Sequence, residues 1–319
     1  MNYGDLIKDA FRISWRNKYL WFFGFFAGGI GGSFNVPTVP SGGGGGDFDD
    51  FDPGGSDFSS SLAAQAGQGV FENVGLLIAL GIVVLLIVLV FIALGLVSQG
   101  ALAESVAAID RGEQRRFSSA WRAGLTNLWR VLGYYVLFTL ISLGFLLAIG
   151  IPLALLVGGT FFATESVGAR VSVAVLAALV GIGLLILVFI PLAIIGKFAL
   201  REVVVRRERV VPSIGVAYRL FRRNLGGSLL VWIIQVAVML GAGIAMISAV
   251  LLLGLVLFLP TIFLAVVEYT TAAIVAGVIA GLILLPLLLV TSGALGTFNH
   301  TYWTLAYLRL TGTAERHVA

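Results

Sequence analysis

The sequence predicts an all-α polytopic membrane protein: six transmembrane helices forming three parallel helical-hairpin repeats, each opened by a cytoplasmic amphipathic helix. Three observations predict this. Apolar runs longer than the roughly 18 residues that argue a spanning helix are separated by short polar segments. Of the 20 Lys and Arg residues, 19 fall in every second one of those segments. A patterned octapeptide also recurs three times, each copy just ahead of an apolar run. Composition agrees, since hydrophobic residues make up 59% and charged residues 11% of the chain, with a mean hydropathy of +1.04. A soluble core of 319 residues needs far less apolar surface. The absence of Cys removes thiol catalysis, Cys-ligated metals and disulfides.

Taken in order, the chain opens with an amphipathic stretch in which Ile7, Phe11 and Trp15 form a stripe opposite Lys8, Arg12 and Arg16. Residues 19–32 are a short candidate span. A secretory signal peptide is the competing reading of this region, but Asp5 and Asp9 precede the apolar stretch and no A-x-A site follows it. The outer loop 33–70 contains SGGGGGDFDDFDPGGSD. Its Asp47, Asp49, Asp50, Asp52 and Asp57 have the oxygen chemistry of a Ca²⁺ site without the D-x-[DN]-x-[DN]-G spacing, so a solvated acidic loop is expected. The glycine run lacks the Lys and following helix of a phosphate-binding loop. Clear spans follow at residues 74–97, 131–157, 171–195, 229–259 and 272–295. A second amphipathic stretch, with Phe117, Trp121, Leu125 and Trp129 opposite Arg115, Arg122 and Arg130, precedes the third span. A cytoplasmic tail, 300–319, closes the chain.

Orientation follows from the basic segments, because Lys and Arg in short loops resist translocation. The third basic segment is the richest, with Lys197, Arg201, Arg206, Arg207, Arg209, Arg219, Arg222 and Arg223. The intervening loops carry acidic residues, among them Glu72, Glu165 and Glu268, with Arg170 the lone basic exception. Both termini are therefore expected in the cytoplasm, and the protein in the cell membrane.

The octapeptide reads Ala, aromatic, Arg, four residues, Asn: Ala10-Phe11-Arg12 with Asn17, Ala120-Trp121-Arg122 with Asn127, and Ala217-Tyr218-Arg219 with Asn224. Each hairpin closes on an Ala-Leu pair: Ala101-Leu102, Ala199-Leu200 and Ala294-Leu295. The repeat units are approximately 5–102, 115–200 and 212–295. Each begins and ends on one side, so they are parallel repeats and imply a pseudo-threefold axis along the membrane normal. Ala and Asn, seven residues apart, share a helix face, and the Arg points the other way.

Arg12, Arg122 and Arg219 are thus candidate contacts for anionic lipid headgroups, the expected partners. Asn17, Asn127, Asn224 and Gln235 are candidate interhelical polar contacts. Pro152, Pro191 and Pro286 predict kinks. The inner parts of the spans carry essentially no ionisable side chain, which argues against proton relays and ion coupling. His300, beside Asn299, Tyr302 and Trp303, reads as part of an interfacial belt, and His317 sits in the tail. No catalytic, metal or cofactor constellation is legible. The pI near 9.6 reflects topology and not nucleic-acid binding.

AFRISWRN, AWRAGLTN and AYRLFRRN opening successive hairpins, with SQGALAESVAAIDRGE after the second span, resemble a broad group of bacterial six-span proteins. That group includes proteins similar to the membrane domain of glycerophosphoryl diester phosphodiesterases. In that family the hydrolytic chemistry belongs to a separate soluble domain, for which this chain is expected to have no room, so the resemblance implies a membrane module and carries over no catalytic residue. The expected function is a non-enzymatic membrane scaffold or accessory component. The alternative is a transporter or channel for lipid or a weakly polar solute.

Overall fold

A computed structural model describes residues 2–28 and 74–312. The outer loop 33–70 with its acidic cluster, the end of the first apolar run beyond Gly28, Arg316 and His317 lie outside the described residues. All regular structure among the described residues is helical: α1 (Tyr3–Arg16), α2 (Leu20–Gly28), α3 (Val74–Asp110), α4 (Phe117–Ala163), α5 (Val167–Val205), α6 (Val210–Arg223), α7 (Leu225–Val266) and α8 (Thr270–Leu310). The chain divides into two compact units, Met1–Val36 with Gly95–Ala319, and Pro37–Leu94. In the described part of the second unit, the first turns of α3, the aliphatic side chains from Ile78 to Ile92 are exposed.

Helices α3, α4, α5, α7 and α8 are long and apolar enough to cross a membrane, with mean hydropathy between 2.6 and 3.5 in their most apolar stretches. Helix is the form such sequences take in hydrocarbon, where each backbone N–H and C=O must be satisfied within its own segment. By contrast, α2 has nine residues, about 14 Å against a hydrocarbon core of roughly 30 Å. Pro152, Pro191, Pro260 and Pro286 all lie inside helices that continue past them.

The core of the first unit sits at the end of the bundle that carries the basic segments. There the last turns of α5 and α8 are buried almost all round: Ile194, Phe198, Ala199, Val203 and Val204 on α5, and Tyr302, Trp303, Leu305, Ala306 and Tyr307 on α8. A helix buried on every side is expected to be apolar all round or to satisfy its polar groups within the protein. The end of α8 does the latter, because no charged residue occurs from Gly296 to Leu308 and its threonines bond back to helix carbonyls. Residues 300–310 therefore continue α8 and do not begin a tail.

Away from that end, most side chains of α4, α5, α7 and α8 are exposed aliphatics. Small residues mark the places where hairpin partners touch, as with Gly181 of α5 against Leu153 of α4, and Gly277 of α8 against Thr261 of α7.

Helix α2 lies closest to α8. A Cβ on Gly24 would collide with the Thr297 hydroxyl and the Gly293 carbonyl, and one on Gly296 with the Gly24 carbonyl. One on Gly28 would stand 2.6 Å from the Gly296 Cα, and one on Gly293 would stand 2.5 Å from the Trp21 carbonyl oxygen. The two backbones touch directly, as small residues permit in membrane helix pairs.

The amphipathic segments differ from expectation at one place. Helices α1 and α6 are separate and amphipathic, ending where Asn17 (φ −111°, ψ 66°) and Asn224 (φ −127°, ψ 44°) leave helical geometry. The second segment is not separate, since α4 starts at Phe117 and runs unbroken through Asn127 to Ala163. The Asn127 amide donates both to the Ala123 carbonyl, at 2.9 Å, and to the Glu104 carboxylate of α3, at 2.7 Å. That cross-helix anchor holds Asn127 inside a continuous helix.

Candidate functional site

Polar side chains converge where the ends of α5 and α8 pack together. Phe198 meets Trp303 edge to face, with ring centroids 5.9 Å apart. One turn after Lys197, Arg201 is wholly buried. Its Nη1 donates to the Lys197 carbonyl at 2.8 Å and its Nη2 to the His300 carbonyl of α8 at 3.4 Å, while Nε has no partner. The next residue, Glu202, is also buried; it accepts the Tyr307 hydroxyl on one oxygen and Arg206 Nη1, at 3.3 Å, on the other.

His300 faces the opposite neighbour. Its Nε2 lies 3.3 Å from the Ala27 carbonyl at the end of α2. A carbonyl can only accept, so the Nε2 facing it carries a proton, while Nδ1 has no partner. Gln99 of α3 donates to the same Ala27 oxygen at 2.9 Å, leaving its own Oε1 without a partner. Around this pair, the Tyr134 hydroxyl donates to the Gly196 carbonyl (2.7 Å), Tyr302 to Val231 (2.9 Å) and Thr297 to Leu20 (2.9 Å). Side chains of one helix thus repeatedly use backbone carbonyls of another.

Chemically, this arrangement fastens helices. Each such bond within a membrane protein contributes about 0.6 kcal/mol on average. No His, Asp and Glu group of three or more gathers among the described residues in a way that holds a metal. Asp9 extends the fastening to the surface, pairing with Arg12 at 2.7 Å and with Arg309 of α8.

The sequence-derived residues fall into two sets. Asn127 and Gln235 lie in interhelical bonds, the latter donating to Asn299 of α8 at 3.2 Å. Asn17 and Asn224 instead donate to the carbonyls four residues earlier in their own helices, Ile13 at 2.9 Å and Leu220 at 3.3 Å. Arg12, Arg122 and Arg219 are exposed, and Ala10, Ala120 and Ala217 are buried.

Sequence reasoning missed Arg201, Glu202 and Tyr307. Arg201 and Glu202 lay in a segment read as a cytoplasmic basic loop, and His300 was placed in an interfacial belt. It also missed the glycine seam, for which Gly24-x₃-Gly28 was an available signal.

The chain belongs to DUF7544, a family of unknown function, whose profile matches residues 15–316. No curated protein and no solved structure matches it.

Proposed function

We propose that this DUF7544 member is a six-span integral protein of the cell membrane that serves as a scaffold or accessory component, with both termini in the cytoplasm. The observation that carries this reading is the use of polar side chains at the basic end. Gln99, Asn127, Glu202, Gln235, Tyr307 and Asp9 are all engaged in links between helices. Such links suit a body that holds its shape, and a substrate path needs polar groups free to exchange partners.

Five helices of spanning length support the topology, and α2 lies within the apolar run 19–32 that is read as the sixth. The three octapeptides support descent from one hairpin unit: in each, the Ala is buried, the Arg exposed, and the Asn amide bonded to the carbonyl four residues earlier. Parallel repeats of this kind fit a pseudo-threefold origin, and the exposed arginines fit contact with anionic headgroups. The likeness to the membrane domain of glycerophosphoryl diester phosphodiesterases fits a membrane module without hydrolytic chemistry of its own.

Reconstitution into vesicles tests the reading. Lipid scrambling and release of small polar solutes are expected at the rate of protein-free vesicles; a saturable, protein-dependent flux would replace the scaffold with a transporter.

A further inference from the structure

A cavity of about 200 Å³ opens where the end of α3, the turn before α4 and the end of α5 meet. Its floor is apolar, with Ala107 and Val204 almost wholly buried. Its rim carries Arg111, Arg115 and Arg207 against one carboxylate, Glu104. Glu104 is already held: one oxygen takes the Asn127 amide at 2.7 Å and the other lies 3.8 Å from Arg207 Nη2. Outside the rim, Glu113 bridges Arg111 (3.0 Å) and Arg115 (3.1 Å), so both guanidinium groups are set in place by one anion.

One feature of this rim opposes the helix it adjoins. Arg115 and Arg116 directly precede the first turn of α4, a helix with no acidic residue in that turn. A helix N-terminus carries about half a positive charge, so cations there oppose the helix and an anion complements it. The surplus of guanidinium over carboxylate therefore faces a space already favourable to negative charge.

We infer that Arg111, Arg115 and Arg207 form a binding site for a phosphate group. Arg forks match phosphate oxygens in bidentate geometry. The cavity far exceeds the roughly 10–15 Å³ that one water needs and falls short of the ≈ 300 Å³ of drug-sized pockets, which suits a phosphate or a small phosphate ester.

A soluble phosphate ester and a lipid headgroup offer the same phosphate chemistry to these arginines, and the arms of the test below tell the two sources apart.

The test uses the full chain in nanodiscs of neutral phosphatidylcholine, titrated with inorganic phosphate and pyrophosphate at constant ionic strength, with binding read by calorimetry and by melting temperature. Saturable binding is expected, at least tenfold weaker in R111Q/R115Q and several-fold weaker in R207Q, whose side chain is mostly exposed. E104Q, which removes the only acid on the rim, is expected to tighten it several-fold. R222Q/R223Q, exposed arginines outside the cavity, should leave it unchanged. Equal binding by R111Q/R115Q and R222Q/R223Q, with the unliganded melting temperature preserved, overturns the site. If soluble phosphates fail to bind while discs containing phosphatidylglycerol retain that lipid in an Arg111- and Arg115-dependent way, the phosphate is that of a lipid headgroup; if neither binds, the site is overturned. Reporter fusions at residues 112 and 208 test the topology separately, because phosphate binding does not depend on which side the site faces.

Discussion

Replacing Gly293 by Ala adds one methyl group in the close seam between α2 and α8. The new Cβ would stand 2.5 Å from the Trp21 carbonyl oxygen and 3.2 Å from its carbon, both backbone atoms that no side-chain rotation can remove. To regain the 3.4 Å of an ordinary contact, α2 and α8 must part by about 0.9 Å. That displacement stretches the Thr297–Leu20 bond (2.9 Å) and the His300–Ala27 bond (3.3 Å) toward or past hydrogen-bond range.

Overpacking of this kind costs about 1–3 kcal/mol, and two weakened interhelical bonds add about 0.6 kcal/mol each. The better helix propensity of Ala returns up to about 1 kcal/mol. A net loss of about 1–3 kcal/mol is expected, read as a lower SDS fraction at the midpoint of reversible unfolding in mixed micelles. The controls are Gly144→Ala and Gly241→Ala, where an added Cβ meets nothing within 4 Å; they should be neutral or slightly stabilising. If Gly293→Ala unfolds together with these controls, the α2–α8 seam is not part of the native packing.

Tyr307→Phe removes the donor from the buried Glu202 carboxylate and should lower stability by about 1–3 kcal/mol, whereas Glu202→Gln, which removes the charge as well, should cost less; thermal unfolding in detergent orders the two variants. Topology reporters placed after residue 60 and near residues 165 and 268 should read outside, and those near 112, 208 and 315 inside; an inside signal at residue 60 overturns the six-span arrangement. The Arg111 hydrogen bond, with Arg115, holds the Glu113 carboxyl below the usual carboxylate range. Its contribution is therefore complete above the unfolded value and lost as pH falls through the lower folded one, so the melting-temperature difference between wild type and Glu113→Gln should vanish in that acidic window.

The spanning helices were legible because a long apolar run has one stable form in hydrocarbon, and the basic end was legible because Lys and Arg cluster there. The break at Asn17 and the continuity at Asn127 were not, since the two asparagines occupy the same motif position and differ only in that Glu104 reaches one of them from another helix. Arg201 and Glu202 were misplaced for a related reason. A charge-rich segment reads as surface, and only the chain assembled around it shows that Tyr307 and the His300 carbonyl meet those side chains. The end of α8 could have been recognised, because thirteen residues from Gly296 to Leu308 carry no charge yet are too rich in Thr, Asn and Tyr to face lipid. That composition is what a helix surrounded by other helices requires.

The 47 residues of α4 form a rod about 70 Å long, more than twice the roughly 30 Å of a hydrocarbon core. The links that tie the α4–α5 hairpin to α8 lie near one end, at Arg201, Phe198 and Glu202, while the far turns expose aliphatic side chains. A rod held at one end is a lever. A tilt of about 5° at the clamp carries the far tip of α4 sideways by about 4 Å over the roughly 45 Å between Tyr134 and Ala163. Repacking too small to disturb any single contact at the basic end is thus magnified at the opposite end of the helix.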